Sequence, residues 1–191
     1  MAGDVAQRRT RNATLPVLTS LVPGHPHYTL LQPEMNDNMD CWYLAYGSNM
    51  SRAQMASRTG PIREGDEAPR VAVLQGYRFA FTTRSTDGRI YANVMVGSPD
   101  DVVRGVLYRC GPEGMKVLDV YEAGYERRQV TVTDELGRNY AATVYVGLPE
   151  CTVEPGRPTT RYRDIILLGA REFGLPCEYL QWIEQLASGT D

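Results

Sequence analysis

WYLAYGSNM, which occupies residues 42–50, joins an apolar run to a short polar turn. The residues from Tyr43 to Tyr46 are aromatic or aliphatic, as expected of a buried strand, and the following Gly-Ser-Asn predicts a tight turn. Ser51 and Gln54 then form a Ser-x-x-Gln capping box, which predicts that a helix begins at once. The segment is therefore predicted to be a strand, a turn and a helix start.

A junction of this kind directs free backbone N–H groups and the positive end of a helix at one place. That arrangement suits a small anion such as a carboxylate or a phosphate. Gly-Ser-Asn turns also serve as plain connections without any ligand. The motif alone leaves both interpretations open.

The composition is that of an ordinary globular protein, with 191 residues of which 42% are apolar and 23% charged. A net charge of -3 without a long basic run argues against nucleic-acid binding. No apolar run reaches the ~20 residues that a membrane span needs, and the amino terminus lacks a signal-peptide core. We expect a cytoplasmic protein with neither nucleic acid nor membrane as a partner.

The reactive side chains are few. The only histidines are His25 and His27, both near the amino terminus, and the sole lysine, Lys116, does not belong to a phosphate-binding loop. The cysteines are scattered without a Cys-x-x-Cys pair, which favours reduced thiols over a disulfide framework or a metal site: Cys41, Cys110, Cys151 and Cys177. We therefore expect no metal, and acid–base chemistry falls chiefly to the 23 carboxylates and 12 tyrosines.

Residues 1–40 contain four prolines and no sustained period, so they are predicted to be an extended or flexible leader. Residues 41–188 are predicted to form one α+β domain. Its strands are expected at residues 70–82, 91–96, 102–110, 129–133 and 140–146, with helices after Ser51 and Pro112 and two more after residue 158. The expected architecture is a small mixed β-barrel or curved sheet with packed helices. Gly169 on the third helix predicts a close approach of a neighbouring element.

Three carboxylates cluster around the end of the helix that starts at Pro112, for which Gly124 is the predicted cap. Asp119 and Glu122 are three residues apart and fall near one face, and Glu126 lies just beyond Gly124. The apolar neighbours of Glu122 could raise its pKa toward neutrality, which a general base requires. A glutamate near a helix end is also commonly solvated, so the segment alone does not assign a role.

Three segments, in the order in which they occur here, resemble the γ-glutamylcyclotransferase family. Residues 43–50 are similar to the glycine-serine-asparagine signature loop of that family. Residues 105–108 and 118–124 resemble the strand and helix that carry its catalytic glutamate, and residues 162–179 resemble its carboxy-terminal helix pair. A departure is Ala123, because many relatives have glycine directly after the glutamate.

The resemblance implies a cofactor-independent reaction in which the α-amino group of a γ-glutamyl compound attacks its own γ-carbonyl, giving 5-oxoproline and a free amine. It assigns Glu122 as general base and acid. It also implies a set of residues that bind the small-molecule γ-glutamyl substrate: Tyr43, Leu44, Ala45, Tyr46, Gly47, Ser48, Asn49, Tyr145 and Tyr162. Tyr145 has an alternative role in packing, as is usual for strand tyrosines.

Two other functions remain open from the sequence. The first is a cyclotransferase that removes the γ-glutamyl group from an amine or a biosynthetic intermediate. The second is a non-catalytic binding module of the same fold. The serine-asparagine pair resembles γ-glutamylcyclotransferase itself more than the glutathione-specific branch, and a homodimer is left open as an assembly state.

Overall fold

The computed structural model describes residues 39–188, so the predicted leader lies outside the described residues except for its last two positions. Between residues 39 and 188 there are seven strands and four α-helices. The strands are β1 (Cys41–Ala45), β2 (Arg70–Gln75), β3 (Tyr77–Arg84), β4 (Ile90–Val96), β5 (Val102–Cys110), β6 (Tyr125–Asp134) and β7 (Asn139–Gly147). The helices are α1 (Arg52–Thr59), α2 (Pro112–Tyr121), α3 (Thr160–Glu172) and α4 (Cys177–Ser188).

Five strands close into a barrel in the order β1-β5-β2-β6-β7, and β3 and β4 form a separate two-stranded sheet. Strand β1 runs antiparallel to β5 and parallel to β7, with Trp42 opposite Ala142. A barrel of mixed strand directions with helices packed on it is the predicted α+β architecture, and the prediction is confirmed.

The core follows from the strand sequences, which are rich in valine, leucine and tyrosine. Fully buried side chains from the barrel meet others from the helices: Leu44, Val106, Leu107 and Val144 with Met55, Leu118, Ile166 and Ile183. Burial of each such side chain contributes roughly 1.5–3 kcal/mol to folding. The elements on either side of the β1 turn are therefore held rigidly.

Helix α3 packs directly on the turn that follows β1. A Cβ atom added at Gly169 would lie 2.4 Å from the backbone nitrogen of Ser51, so only glycine allows this approach. The close approach predicted for Gly169 is confirmed. Thr159 caps α3, since its side chain accepts a hydrogen bond from the backbone N–H of Tyr162.

Three predictions about the elements were wrong. The expected single strand over residues 70–82 is divided into β2 and β3, because Gly76 adopts a φ of 76° and turns the chain. Strand β6 begins at Tyr125 rather than near residue 129. Helix α2 ends at Tyr121 with Glu122 as its C-cap, so Gly124 does not cap it.

No helix between residues 39 and 188 is both long enough and apolar enough to span a membrane.

Candidate active site

A cavity of about 770 Å³ lies beside the end of β1. Its wall combines the turn after β1 with side chains from α1, α3, the end of α2 and the sheet of β3 and β4. The lining residues include Tyr43, Tyr46, Gly47, Ser48, Asn49, Gln54, Arg58, Tyr91, Tyr121, Glu122, Tyr125, Tyr145 and Tyr162. Residues far apart in the chain thus meet around one space.

The turn after β1 is a short 3-10 helix, Ser48–Met50, closed by a hydrogen bond from the N–H of Met50 to the carbonyl of Gly47 at 3.0 Å. Ser51 caps α1 by accepting from the N–H of Gln54 at 3.4 Å. The Gln54 side chain does not complete the predicted capping box. Its amide instead donates to Oγ of Ser48 at 2.7 Å and to Oδ1 of Asn49 at 3.2 Å, so it braces the turn.

Glu122 stands at the end of α2 with its side chain 18% exposed. Its Oε1 accepts a hydrogen bond from Nδ2 of Asn49 at 3.1 Å and lies 3.5 Å from Nη1 of Arg58. Burial raises the pKa of the Glu122 carboxyl above its ordinary value, and Arg58 and Asn49 partly oppose that rise. A carboxyl of this kind can take up and return a proton closer to neutral pH than an exposed glutamate can.

Three tyrosines complete the inner wall: Tyr43 and Tyr46 are buried, and Tyr162 is half-buried. The Tyr43 hydroxyl accepts from Nδ2 of Asn49 at 3.0 Å, and the Tyr46 hydroxyl donates to the carbonyl of Tyr145 at 2.6 Å. The Tyr162 hydroxyl accepts from the N–H of Ala92 at 3.4 Å. Burial raises the pKa of all three tyrosines, so their hydroxyls stay protonated at neutral pH.

Tyr145 lines the cavity, yet its hydroxyl is engaged elsewhere. It donates to Oδ1 of Asp119 at 2.7 Å, and its ring packs edge-on against Tyr43 with centroids 5.7 Å apart. Asp119 also accepts from Arg127, and Glu126 accepts from Arg128 at 2.7 Å. Neither of these two carboxylates lines the cavity, so Glu122 is the member of the trio that faces it.

Leu44 and Ala45 require a correction. Both are fully buried in the barrel, and neither lines the cavity. The side chain of Leu44 belongs to the core. The carbonyl oxygen of Ala45 packs against Gly105, and a Cβ added at Gly105 would lie only 2.4 Å from that oxygen. These two residues therefore support the wall, and the other loop residues assigned from the resemblance lie at the cavity itself.

Sequence reasoning missed Gln54 and Arg58. They are four residues apart on α1, a spacing that places them on one helix face directed at the turn. The four-residue spacing is a usable signal for this shared face, and the capping role predicted for Gln54 does not include it. Between residues 39 and 188, no group of three or more histidine, cysteine or acidic side chains is arranged to hold a metal ion.

Comparison with known proteins places the chain in a family. The model of the AIG2-like family matches residues 102–183. A gamma-glutamylcyclotransferase from Bos taurus is 30% identical over 152 residues, which cover 72% of this chain and 73% of that protein. The chain belongs to the γ-glutamylcyclotransferase family.

Other members agree with this assignment. The gamma-glutamylcyclotransferase of Homo sapiens is 27% identical over 154 residues, covering 75% of this chain and 77% of that protein. A solved structure of a gamma-glutamyl cyclotransferase superposes with a TM-score of 0.65 at 27% identity, covering 76% of this chain and 86% of that one. The γ-glutamylcyclotransferase resemblance noted in the sequence is confirmed, and the barrel is the fold of this family.

Proposed function

We propose that this protein is a γ-glutamylcyclotransferase that converts a γ-glutamyl amino acid or peptide into 5-oxoproline and a free amine. Membership of the family supports the class of reaction. The observation that carries the assignment to this cavity is the carboxylate of Glu122, which lines it within hydrogen-bonding distance of Asn49.

In the proposed reaction the α-amino nitrogen attacks the γ-carbonyl carbon of the same substrate molecule. One carbon–nitrogen bond forms as the ring closes, and the bond to the leaving amine breaks. Glu122 removes a proton from the α-ammonium group and later delivers a proton to the leaving nitrogen. The step consumes neither water nor an oxidant, and the carboxylate is regenerated.

The turn after β1 supplies the polar contacts that the substrate needs. Backbone N–H groups near Gly47 and Ser48, in the turn that precedes α1, suit the α-carboxylate, because backbone donors and the nearby start of α1 favour an anion. Tyr46 and Tyr162 line the same cavity, and their protonated hydroxyls can form hydrogen bonds with polar groups of the substrate. Because the reaction is intramolecular, holding the substrate in a folded conformer should account for much of the acceleration.

The test is to incubate the purified chain with γ-glutamyl-L-alanine and to quantify 5-oxoproline and alanine by mass spectrometry. We expect the two products in equal amounts, and Glu122→Gln serves as the negative control. Binding of the substrate without product would instead identify a non-catalytic binding module.

A panel of leaving groups would then define the substrate. It should contain γ-glutamyl amino acids, glutathione and γ-glutamyl amides of simple amines, each assayed for kcat/KM. Turnover confined to the amides of simple amines would favour the second candidate reaction, removal of a γ-glutamyl group from an amine or a biosynthetic intermediate.

A further inference from the structure

Arg58 reaches from α1 into the cavity and contacts three groups at once. Its Nη1 donates to Oδ1 of Asn49 at 2.6 Å and lies 3.5 Å from Oε1 of Glu122. Its guanidinium lies over the ring of Tyr121, 4.2 Å from the centroid. The Arg58 side chain is 19% exposed, so its contacts with Asn49 and Glu122 are largely shielded from bulk water, whereas Tyr121 is 58% exposed.

The Asn49 amide has one orientation that satisfies all its neighbours. Oδ1 faces two donors, the guanidinium of Arg58 and the amide of Gln54, while Nδ2 faces two acceptors, the Tyr43 hydroxyl and Oε1 of Glu122. Rotating the amide by half a turn would set its oxygen against the carboxylate and its NH₂ group against the guanidinium. Arg58 and Gln54 therefore decide which end of the amide faces Glu122.

We propose that Arg58 is a positioning residue for the reaction: it holds the Asn49 amide with its N–H toward Glu122 and places a positive charge beside that carboxylate. The catalytic part of this inference rests on the proposed function. Arg58 also stacks on Tyr121, and because Tyr121 immediately precedes Glu122 in the chain, this contact favours a guanidinium position beside the carboxylate.

The charges around Glu122 make the inference testable. Arg58 is the cation that opposes the effect of burial on the pKa of Glu122. Four tyrosines interact with the carboxyl, and burial raises the pKa of each, so they stay neutral while Glu122 titrates: Tyr43, Tyr46, Tyr125 and Tyr162. Arg84, Glu150 and Cys151 line the same cavity. Loss of Arg58 therefore removes the positive charge that opposes the effect of burial on the pKa of Glu122.

The direct experiment is a carboxyl ¹³C NMR titration of Glu122, assigned by comparison with Glu122→Gln. Arg58→Gln should raise the pKa of Glu122, and Arg58→Lys should restore most of the wild-type value because it retains the charge. Arg52→Gln is the matched control, because this arginine of the same helix pairs with Glu172 and stacks on Phe173 outside the cavity. The control should leave the titration unchanged.

The kinetic experiment uses the pH dependence of kcat/KM with the best substrate of the panel. In Arg58→Gln the acid limb should move to higher pH and kcat on the plateau should fall by ~10- to 100-fold, as expected for a misplaced catalytic group. In Arg58→Lys the limb should stay near its wild-type position while kcat remains reduced, because a single ammonium cannot reproduce the planar contacts of the guanidinium. A purely structural role would lower activity without moving the limb.

An unchanged Glu122 titration and acid limb in folded Arg58→Gln would overturn the inference. If Arg58→Gln fails to fold, Arg58→Lys becomes the test. A wild-type kcat in Arg58→Lys would also overturn the inference. If the wild-type chain turns over no γ-glutamyl compound, the proposed function fails, while the NMR titration still tests the action of Arg58 on Glu122.

Discussion

Nδ2 of Asn49 lies 3.1 Å from Oε1 of Glu122, although the two residues are 73 positions apart in the chain. The first belongs to the turn after β1, and the second ends α2. This hydrogen bond joins the loop proposed to bind the substrate to the carboxylate proposed to move its protons. In the proposed reaction, the geometry of ring closure would therefore depend on how these two elements are held together.

Replacing Glu122 by glutamine should abolish turnover and preserve substrate binding. The amide keeps the shape of the side chain but cannot cycle a proton, so we expect kcat to fall by at least ~10²-fold with little change in the dissociation constant. Steady-state kinetics and calorimetric titration with γ-glutamyl-L-alanine measure the two quantities separately.

Glu126→Gln is the matched control, because Glu126 pairs with Arg128 and does not line the cavity. It should keep near-wild-type kcat. Normal turnover by Glu122→Gln, combined with a loss of turnover in Glu126→Gln or Asp119→Asn, would identify Glu126 or Asp119 as the catalytic base instead.

The largely buried Glu122 carboxyl should also lower the free energy of unfolding as the pH rises. Its pKa in the folded chain is raised from the ordinary value of 4.5, so above pH 4.5 the unfolded chain loses this proton first. The free energy of unfolding of the wild type, relative to Glu122→Gln, should therefore fall from pH 4.5 upward and level off once the folded carboxyl has ionised. Denaturant titrations of both proteins from about pH 4 to 8 measure this difference, and a difference that rises across the window would contradict the prediction.

Any side chain in place of Gly47 should reduce activity. A Cβ at this position would lie 3.1 Å from the Tyr162 hydroxyl and 3.7 Å from Cβ of Ala92. We expect Gly47→Val to raise KM for the γ-glutamyl substrate by ~10-fold or more, since the added methyl groups enter the space proposed for it. Measurement of KM and kcat on the alanine substrate tests this.

A double-mutant cycle locates the cause. Tyr162→Phe removes the hydroxyl that a Cβ would meet, so Gly47→Ala should be less harmful when combined with Tyr162→Phe than in the wild type. Equal penalties in the two backgrounds would show that contact with Tyr162 is not what requires glycine at this position.

Gly169→Ala should destabilise the domain and reduce activity together. The new methyl group would meet the backbone nitrogen of Ser51 at 2.4 Å, so α3 must move off the turn at a cost of roughly 1–3 kcal/mol, despite the gain in helix propensity. Thermal unfolding and kcat/KM report the two effects. Leu168→Ala, at an exposed neighbouring position on the same helix, should change neither appreciably.

Local patterns predicted the parts of the molecule that depend on neighbouring residues. The strand, turn and helix around Gly47, the serine cap of α1 and the small residue at position 169 were all correct, because each depends on propensity or on helical spacing. The extent of β2 was missed, since Gly76 lies within a segment that is mostly apolar and aromatic on both sides.

The side-chain network around Glu122 depends on contacts across the fold, which periodicity does not show. Nothing in the sequence pairs Arg58 with Tyr121, and only the packing of α1 beside α2 stacks them. The burial of Leu44 and Ala45 agrees with the buried strand predicted there, and only their place in the proposed substrate site depends on contacts across the fold, since neither residue lines the cavity.

The pairing of β1 with β7 has a consequence for the order of folding. Trp42 pairs with Ala142, one hundred positions later, so the amino-terminal strand emerges during synthesis long before the strand that closes the barrel on it. Such a distant pairing carries a large loop-closure entropy and slows folding. The turn after β1 obtains its final setting only when the carboxy-terminal half has joined the barrel, so catalytic competence should be among the last properties that a newly made chain acquires.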